Sequence, residues 1–342
     1  MRKLYCQCGQ LVFSQNTHCF NCDRVLGFDP FSRQMVSLET ASDGQLQDTQ
    51  GNVWQRCANR IHHSVCNGLV SAEVATTGSS LCECCALNRT IPVTKRAENK
   101  RRWHKMEFAK RRMIAGLSAL GLDVRCPAGN YSATLRFDFM EDKRSHPDVL
   151  ETFVSTGHKD GVITINLIEA DEVKRVAARE NMGERYRTLL GHMRHEVGHF
   201  FYTYLVADLN AFTALFGDPT VDYSVALQTY YDNGPAADWG NNYISAYATS
   251  HPWEDWAESF AHYLHMQDAM ATASERGFIP DYSEQPIAVQ IQQWTEFSVN
   301  LNEVGRSLGL GDSYPFVIAP HVADKLAFVH DSISRYKQTW SN

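Results

Sequence analysis

Apolar residues recur three and four positions apart between residues 97 and 120, where Trp103, Met106, Met113, Leu117 and Leu120 form one stripe. That spacing predicts a long helix, and Gly121 supplies its stop. Two runs, 133–140 (ATLRFDFM) and 161–168 (GVITINLI), read as strands. Helical spacing returns over 171–181, 184–206, 254–272, 286–308 and 320–336. Residues 1–92 differ: helical periodicity is weak, turn formers are frequent, and Leu11–Phe13 reads as a short strand. Residues 40–52 (TASDGQLQDTQGN) read as a linker or hairpin loop. No internal repeat or low-complexity tract is present. The expected class is α+β: a module over 1–92, then a domain over 95–342 that is mostly helical with a small sheet.

Composition narrows the picture. The chain has 342 residues, 44% of them hydrophobic, which is too apolar for a disordered protein and long enough for about two domains. No run of about 18 apolar residues occurs, so no membrane span is expected. The opening MRKLYCQCGQ has no apolar stretch long enough for a secretory signal, so the expected location is cytoplasmic. Nine of the ten cysteines fall within the first 85 residues. In a reducing compartment such clustering points to metal ligands rather than disulfides.

The spacing resolves two sets of four. Cys19 and Cys22 are separated by two residues, which lets two thiolates grip one tetrahedral Zn²⁺ from a tight knuckle. Cys6 and Cys8 are one residue closer than usual, and Gly9 relieves the turn; His18 is the substitute ligand. In the second set Cys82 and Cys85 have the knuckle spacing, and Cys57 and Cys66 complete it. His62 and His63 compete there, and Cys84 is left over. Both sites are expected to be closed, structural and needed for folding. Cys126 is expected to be an unliganded core thiol.

Residues 195–199 read His-Glu-Val-Gly-His within a helical pattern whose buried stripe holds Met193, Val197, Phe200 or Phe201, and Tyr204. Histidines four apart project from one face and can share a Zn²⁺, with Glu196 beside them as general base. Gly198 marks a place where substrate or a strand comes close, and His192 is expected to support the site without ligating. The metzincin pattern needs Gly at 202 and His at 205; Tyr202 and Leu205 exclude it. A third ligand is expected downstream in HPWEDWAESFAHY (251–263). Pro252 suits a helix start, and Glu254 and Glu258 then stand one turn apart. Glu254 is the expected ligand and Glu258 the acceptor for the free ring N–H of a ligand histidine. The alternative makes Glu258 the ligand with His262 behind it.

On these residues the chain resembles the gluzincins, and EDWAESF is similar to the third-ligand helix of those of the lethal-factor type. It resembles more closely the bacterial zinc-binding metallopeptidases that carry N-terminal zinc ribbons. The likeness runs through CQCGQLVF, CFNCDRVLGFDP, CANRIHHSVCN, LCECCALNRTIP, GVITINLIEAD, YRTLLGHMRHEVGHFFY, HPWEDWAESFAHYLHM and PFVIAPHVADKLAFVHD. The resemblance implies a zincin-like fold and a zinc-dependent hydrolase. It also implies a transition-state role for Tyr247, which stands seven residues before Glu254.

The expected reaction is peptide hydrolysis with one catalytic and two structural Zn²⁺, the substrate adding in extended form to an edge strand at 161–168. Nine Lys or Arg between Lys95 and Arg112 face two Glu there, a local +7 within a chain of −7, so the rest carries −14. A nucleic-acid partner is therefore not favoured; the basic run reads as a solvated helix face or an interdomain contact. Two rivals stand: a DNA-associated zinc protease of SprT type, and a non-enzymatic zinc-ribbon interaction protein. Tyr223, Tyr230, Tyr231, Trp239 and Tyr243 read as cleft lining or core, and His251, His265, His321 and His330 as structural.

Overall fold

The computed structural model describes residues 2–175 and 188–340. The chain forms two compact units, Met1–Cys126 with Asn130–Arg175, and Pro127–Gly129 with Val176–Asn342.

The first unit begins with two short strands, β1 (Leu4–Tyr5) and β2 (Leu11–Val12), paired antiparallel on either side of the first cysteine pair. A five-stranded antiparallel sheet follows in chain order: β3 (Val25–Asp29), β4 (Gln34–Thr40), β5 (Leu46–Gln47), β6 (Val53–Arg56) and β7 (Leu69–Ser71). Residues 40–52 are thus the two hairpin turns flanking β5, not a linker between domains. Three short helices lie nearby, α1 (Ala58–His63), α2 (Ala72–Thr76) and α3 (Glu83–Ala86). Strand β8 (Asn88–Thr90) runs through the long helix α4 (Ala97–Ala119) to the parallel strand β9 (Arg136–Met140). Strands β10 (Gly157–Lys159) and β11 (Val162–Asn166) complete a sheet of order β10-β11-β9-β8.

Asp160 and Gly161 join β10 to β11 with φ of 49° and 74°. Left-handed values at both central positions match the two-residue hairpin turns that follow the natural strand twist. The run 161–168 is expected at a sheet edge, yet β11 lies inside, antiparallel to β10 and parallel to β9. The polar strand β10 shields it, and sequence alternation alone could not reveal that partner. Phe137 and Phe139 of β9 and Ile163 and Ile165 of β11 are fully buried.

Helix α4 starts and stops as its pattern predicts, and its basic run divides: Lys95, Arg101 and Lys105 are exposed, whereas Arg102, Lys110 and Arg111 are buried. Lys110 is completely buried, pairs with Glu107 at 2.9 Å, and lies over the rings of Phe137 and Phe139. Arg102 pairs with Asp171 at 2.8 Å and Arg96 with Glu141 at 2.9 Å. The composition shift at 92–95 therefore falls inside the first packing unit, because α4 packs with the strands before and after it.

The second unit is built from helices α5 (Leu189–Leu205), α6 (Leu209–Phe216), α7 (Tyr223–Asn233), α8 (Pro252–Glu275), α9 (Ile287–Ser307) and α10 (Pro320–Trp340). Of the expected helices at 171–181 and 184–206, residues 176–187 lie outside the described residues. Helices α6 and α7 fall where the sequence pattern predicted no element. The core brings Met193, Val197 and Phe201 of α5 against Trp256 and Phe260 of α8, all fully buried. Lys325 of α10 reaches the first turn of α8, bonding Asp255 at 2.6 Å and the Asn242 carbonyl at 2.7 Å. Among the described residues no helix is long and apolar enough to cross a membrane.

Candidate metal centres and active site

Within the first unit the sulfurs of Cys6, Cys8, Cys19 and Cys22 gather in one group, and those of Cys57, Cys66, Cys82 and Cys85 in another. Cys6–Cys22 and Cys8–Cys19 are 3.6 Å apart, and Cys66–Cys82 3.7 Å. A Zn–S bond of about 2.3 Å gives a tetrahedral edge of about 3.8 Å, so both sets fit that ion. His18 meets Phe20 edge-on, His62 is exposed, and His63 packs at a tilt against Trp103; none joins a group. Cys84 is buried outside the second set, and burial pushes its thiol up to about 12 against the pull of Lys110 and Arg111. Cys126 is half-buried rather than in the core, because it sits at the end of the turn that leaves α4.

The two groups differ in surroundings. In the first, Cys8 and Cys22 are half-buried, and Asn21, Arg24 and Ser37 donate to Cys8, Cys22 and Cys6. In the second, all four are buried. There the backbone N–H of Gly68 bonds Cys66 at 3.0 Å, and Arg111 reaches Cys66 and Cys82 at 3.4 and 3.6 Å. A second arm of Arg111 donates to the Phe28 carbonyl. A buried guanidinium offsets thiolate charge that the interior would otherwise penalise. Nothing in the spacing of its basic run distinguishes Arg111 from its neighbours.

In the second unit, Thr188 caps α5 by accepting from the Gly191 N–H at 2.9 Å. His195 and His199 project together from that helix, their Nε2 atoms 3.1 Å apart. Helix α8 is capped by His251, whose Nδ1 accepts from the Trp253 N–H while Nε2 donates to the Val221 carbonyl. Pro252 takes the first helical position, and Glu254 follows in the first turn, where the helix dipole favours a carboxylate. Glu254 Oε2 lies 2.9 Å from His195 Nε2 and 3.4 Å from His199 Nε2. It is 99% buried yet Oε2 accepts no hydrogen bond. The three spacings match the edges, about 3.3 Å, of a tetrahedron with bonds near 2.0–2.1 Å. No fourth Cys, His, Asp or Glu joins the group among the described residues.

Gly198 makes this geometry possible. A Cβ there would come within 3.1 Å of the Ala257 Cα and 3.3 Å of its carbonyl oxygen. The close neighbour is thus the helix carrying Glu254, not substrate or a strand. Trp256 clamps the crossing by donating from Nε1 to the Gly198 carbonyl at 2.9 Å.

The remaining polar groups orient the donors. Glu258 Oε1 accepts from His195 Nδ1 at 2.7 Å, which fixes the ring with Nε2 toward Glu254. Burial opposes the charge on Glu258, but the His195 hydrogen bond prevails and holds its pKa near about 2. His262, behind Glu258, bonds Tyr314 at 2.8 Å instead and is no part of the donor group. Glu196 is buried, 3.2 Å from His192 Nε2; burial raises its pKa, but that hydrogen bond and the neighbouring imidazoles prevail and lower it. The Tyr247 ring lies 5.9 Å from that of His195, and burial with the charge of Glu254 keeps its hydroxyl protonated far above neutrality. Tyr223, from α7, donates to Glu254 Oε1 at 2.6 Å. Sequence reasoning had not linked Tyr223 to Glu254, and 31 residues of separation offer no spacing signal. His265 and His330 find structural partners in Arg194 and Tyr263.

Comparison with known proteins identifies the family. The profile of the family described as "Putative zinc-binding metallo-peptidase" matches residues 99–332, and that of a zinc-ribbon domain matches residues 3–96. The chain belongs to this zinc-binding metallopeptidase family. Two fellow proteins, each named as uncharacterized, come from Mycobacterium tuberculosis and Mycobacterium bovis. Each is 38% identical over 343 residues, covering 96% of this metallopeptidase-family chain and 94% of its own length. No solved structure matches at a significant level.

Proposed function

We propose that the protein is a cytoplasmic zinc peptidase of gluzincin type, with its catalytic ion on His195, His199 and Glu254. The observation that carries this reading is the buried, hydrogen-bond-free Glu254 Oε2 facing two imidazole nitrogens at 2.9 and 3.4 Å. Three donors without a fourth protein ligand suit a catalytic site, whereas the two sets of four thiolates suit closed, structural zinc. A zinc ion there supplies Lewis acidity toward a water and a scissile carbonyl. Glu196 takes the proton of the attacking water and returns it to the leaving amine. Tyr247, held protonated, donates to the carbonyl oxygen as negative charge develops on it. Glu258 fixes the His195 ring, and Tyr223 holds the outer oxygen of Glu254 so that the inner one ligates.

Lys110, Arg111 and Arg102 are turned inward and bonded within their own unit, which leaves fewer of the nine bases of the run for a nucleic-acid contact. The decisive test is Glu196→Gln. Purified variant should retain three zinc ions per chain by elemental analysis, yet lose about 10²–10⁴ in peptide hydrolysis. Unchanged turnover would remove Glu196 from the reaction, and a zinc content near one would remove the structural sites.

A further inference from the structure

We propose, resting on the peptidase reading, that the substrates are peptides with Lys or Arg side chains close to the bond cleaved. From His195 to Glu275 the chain has no Lys or Arg at all, but eleven Asp or Glu. Over residues 188–340 there are 18 acids to 6 bases, a formal −12, whereas residues 2–175 hold 19 acids to 23 bases. Three of those six cations are already committed: Arg194 to Asp268, Lys325 to Asp255, and Arg306 to Glu303 and Asp312. A divalent ion cancels only a small part of the remainder.

Helix α7 gives the field a local receptor. Its first residue, Tyr223, is tied to Glu254, and near its far end the Tyr230 ring lies 5.9 Å from that of Tyr247. The helix therefore runs alongside the donor group, yet it has no buried residue of its own. Its exposed rings are Tyr223 and Tyr231, at 38% and 60% exposure, and Trp253 beside Tyr223 is 39% exposed. Exposed Asp222 and Asp232 bracket these rings, and no base pairs with either among the described residues. The carbonyl end of the helix, closing at Gly234, adds partial negative charge. Aromatic faces beside unpaired carboxylates and a helix C-terminus are the chemistry that holds guanidinium and ammonium groups. An acidic peptide meets the same carboxylates within one screening length of about 8–10 Å.

The test uses the zinc-loaded full chain and three synthetic peptide pools sharing a randomised centre, flanked by Lys/Arg, by Ser/Gln or by Asp/Glu. Basic flanks should raise kcat/KM about tenfold or more over acidic ones, mainly through KM, and the advantage should shrink as salt rises. Changing Asp222→Asn with Asp232→Asn, which keeps a capping side chain at 222, should lower the basic-to-acidic ratio about two- to fivefold. Equal rates for basic and acidic pools, or a ratio indifferent to salt, overturn the substrate assignment while leaving the peptidase reading intact. Absence of cleavage in every pool overturns the peptidase reading and this inference with it.

Discussion

Two ways of gathering side chains that could hold a metal ion coexist in this molecule. In the first unit the thiolates come from short loops and knuckles, and each set closes on itself with four sulfurs. In the second unit the side chains come from two long helices whose crossing brings His195, His199 and Glu254 together, with no fourth Cys, His, Asp or Glu among the described residues. The lesson concerns where the geometry is stored. A thiolate set is held by the chain immediately around it, so metal and local fold form together. The imidazole–carboxylate set is held by helix packing, so it exists before any ion arrives and fails when the crossing is disturbed.

The largest effect should come from the buried thiolate set. Cys82→Ala removes a fully buried donor and leaves the Arg111 guanidinium beside an incomplete cluster. Structural zinc in such sites is worth about 10–16 kcal/mol of folding free energy, so the first unit should lose its cooperative unfolding transition and one zinc per chain. Cys22→Ala, in the half-buried first set, should cost one zinc while the sheet around Phe137 and Phe139 still melts cooperatively. Calorimetry with elemental analysis checks both, and equal damage from the two would break the contrast between buried and half-buried sites.

The helix crossing is probed by Gly198→Ala. The added methyl meets Ala257 backbone at 3.1 Å, which side-chain rotation cannot relieve. Overpacking of this kind costs about 1–3 kcal/mol, and the separation it forces carries Glu254 away from the two histidines. Thermal melting should fall for the second unit, with weaker metal uptake there and undiminished zinc on the eight thiolates. A variant that melts like wild type would show that the crossing has slack and that the donor geometry is stored elsewhere.

Local signals in the chain were enough for the donors and not for their neighbours. His195, Glu196 and His199 follow from one helical repeat, and Glu254 from a proline-led helix start. Both thiolate sets follow from short spacings. By contrast, the partner of Gly198 is Ala257 and that of Glu254 is Tyr223, contacts made only by tertiary packing. Helix α7 escaped the pattern because none of its residues is fully buried, so no apolar stripe marks it. Strand β11 was legible as a strand, but its neighbours on both sides depend on sheet order, which alternation does not encode. The basic run of α4 was only partly legible for a related reason: Asp171 and Glu141 pair with Arg102 and Arg96 from positions that charge counting treats as unrelated.

The smallest and most selective effect is expected at Tyr223. Its hydroxyl donates to Glu254 Oε1 at 2.6 Å, and burial with the adjacent carboxylate keeps it protonated, so it acts as a fixed donor. Tyr223→Phe removes that bond and frees the carboxylate to rotate, while the ring contacts with His251 and Trp253 remain. Outer hydrogen bonds of this sort are worth about tenfold or more in metal affinity. Competition with a chelator should show about that loss for one zinc of three, the other two being unaffected. Tyr247→Phe should do the reverse, retaining the ion and losing turnover, since Tyr247 is proposed to meet the substrate rather than a ligand. If Tyr223→Phe holds all three ions as tightly as wild type, the orientation of Glu254 comes from α8 alone, and the helix crossing stores the whole geometry.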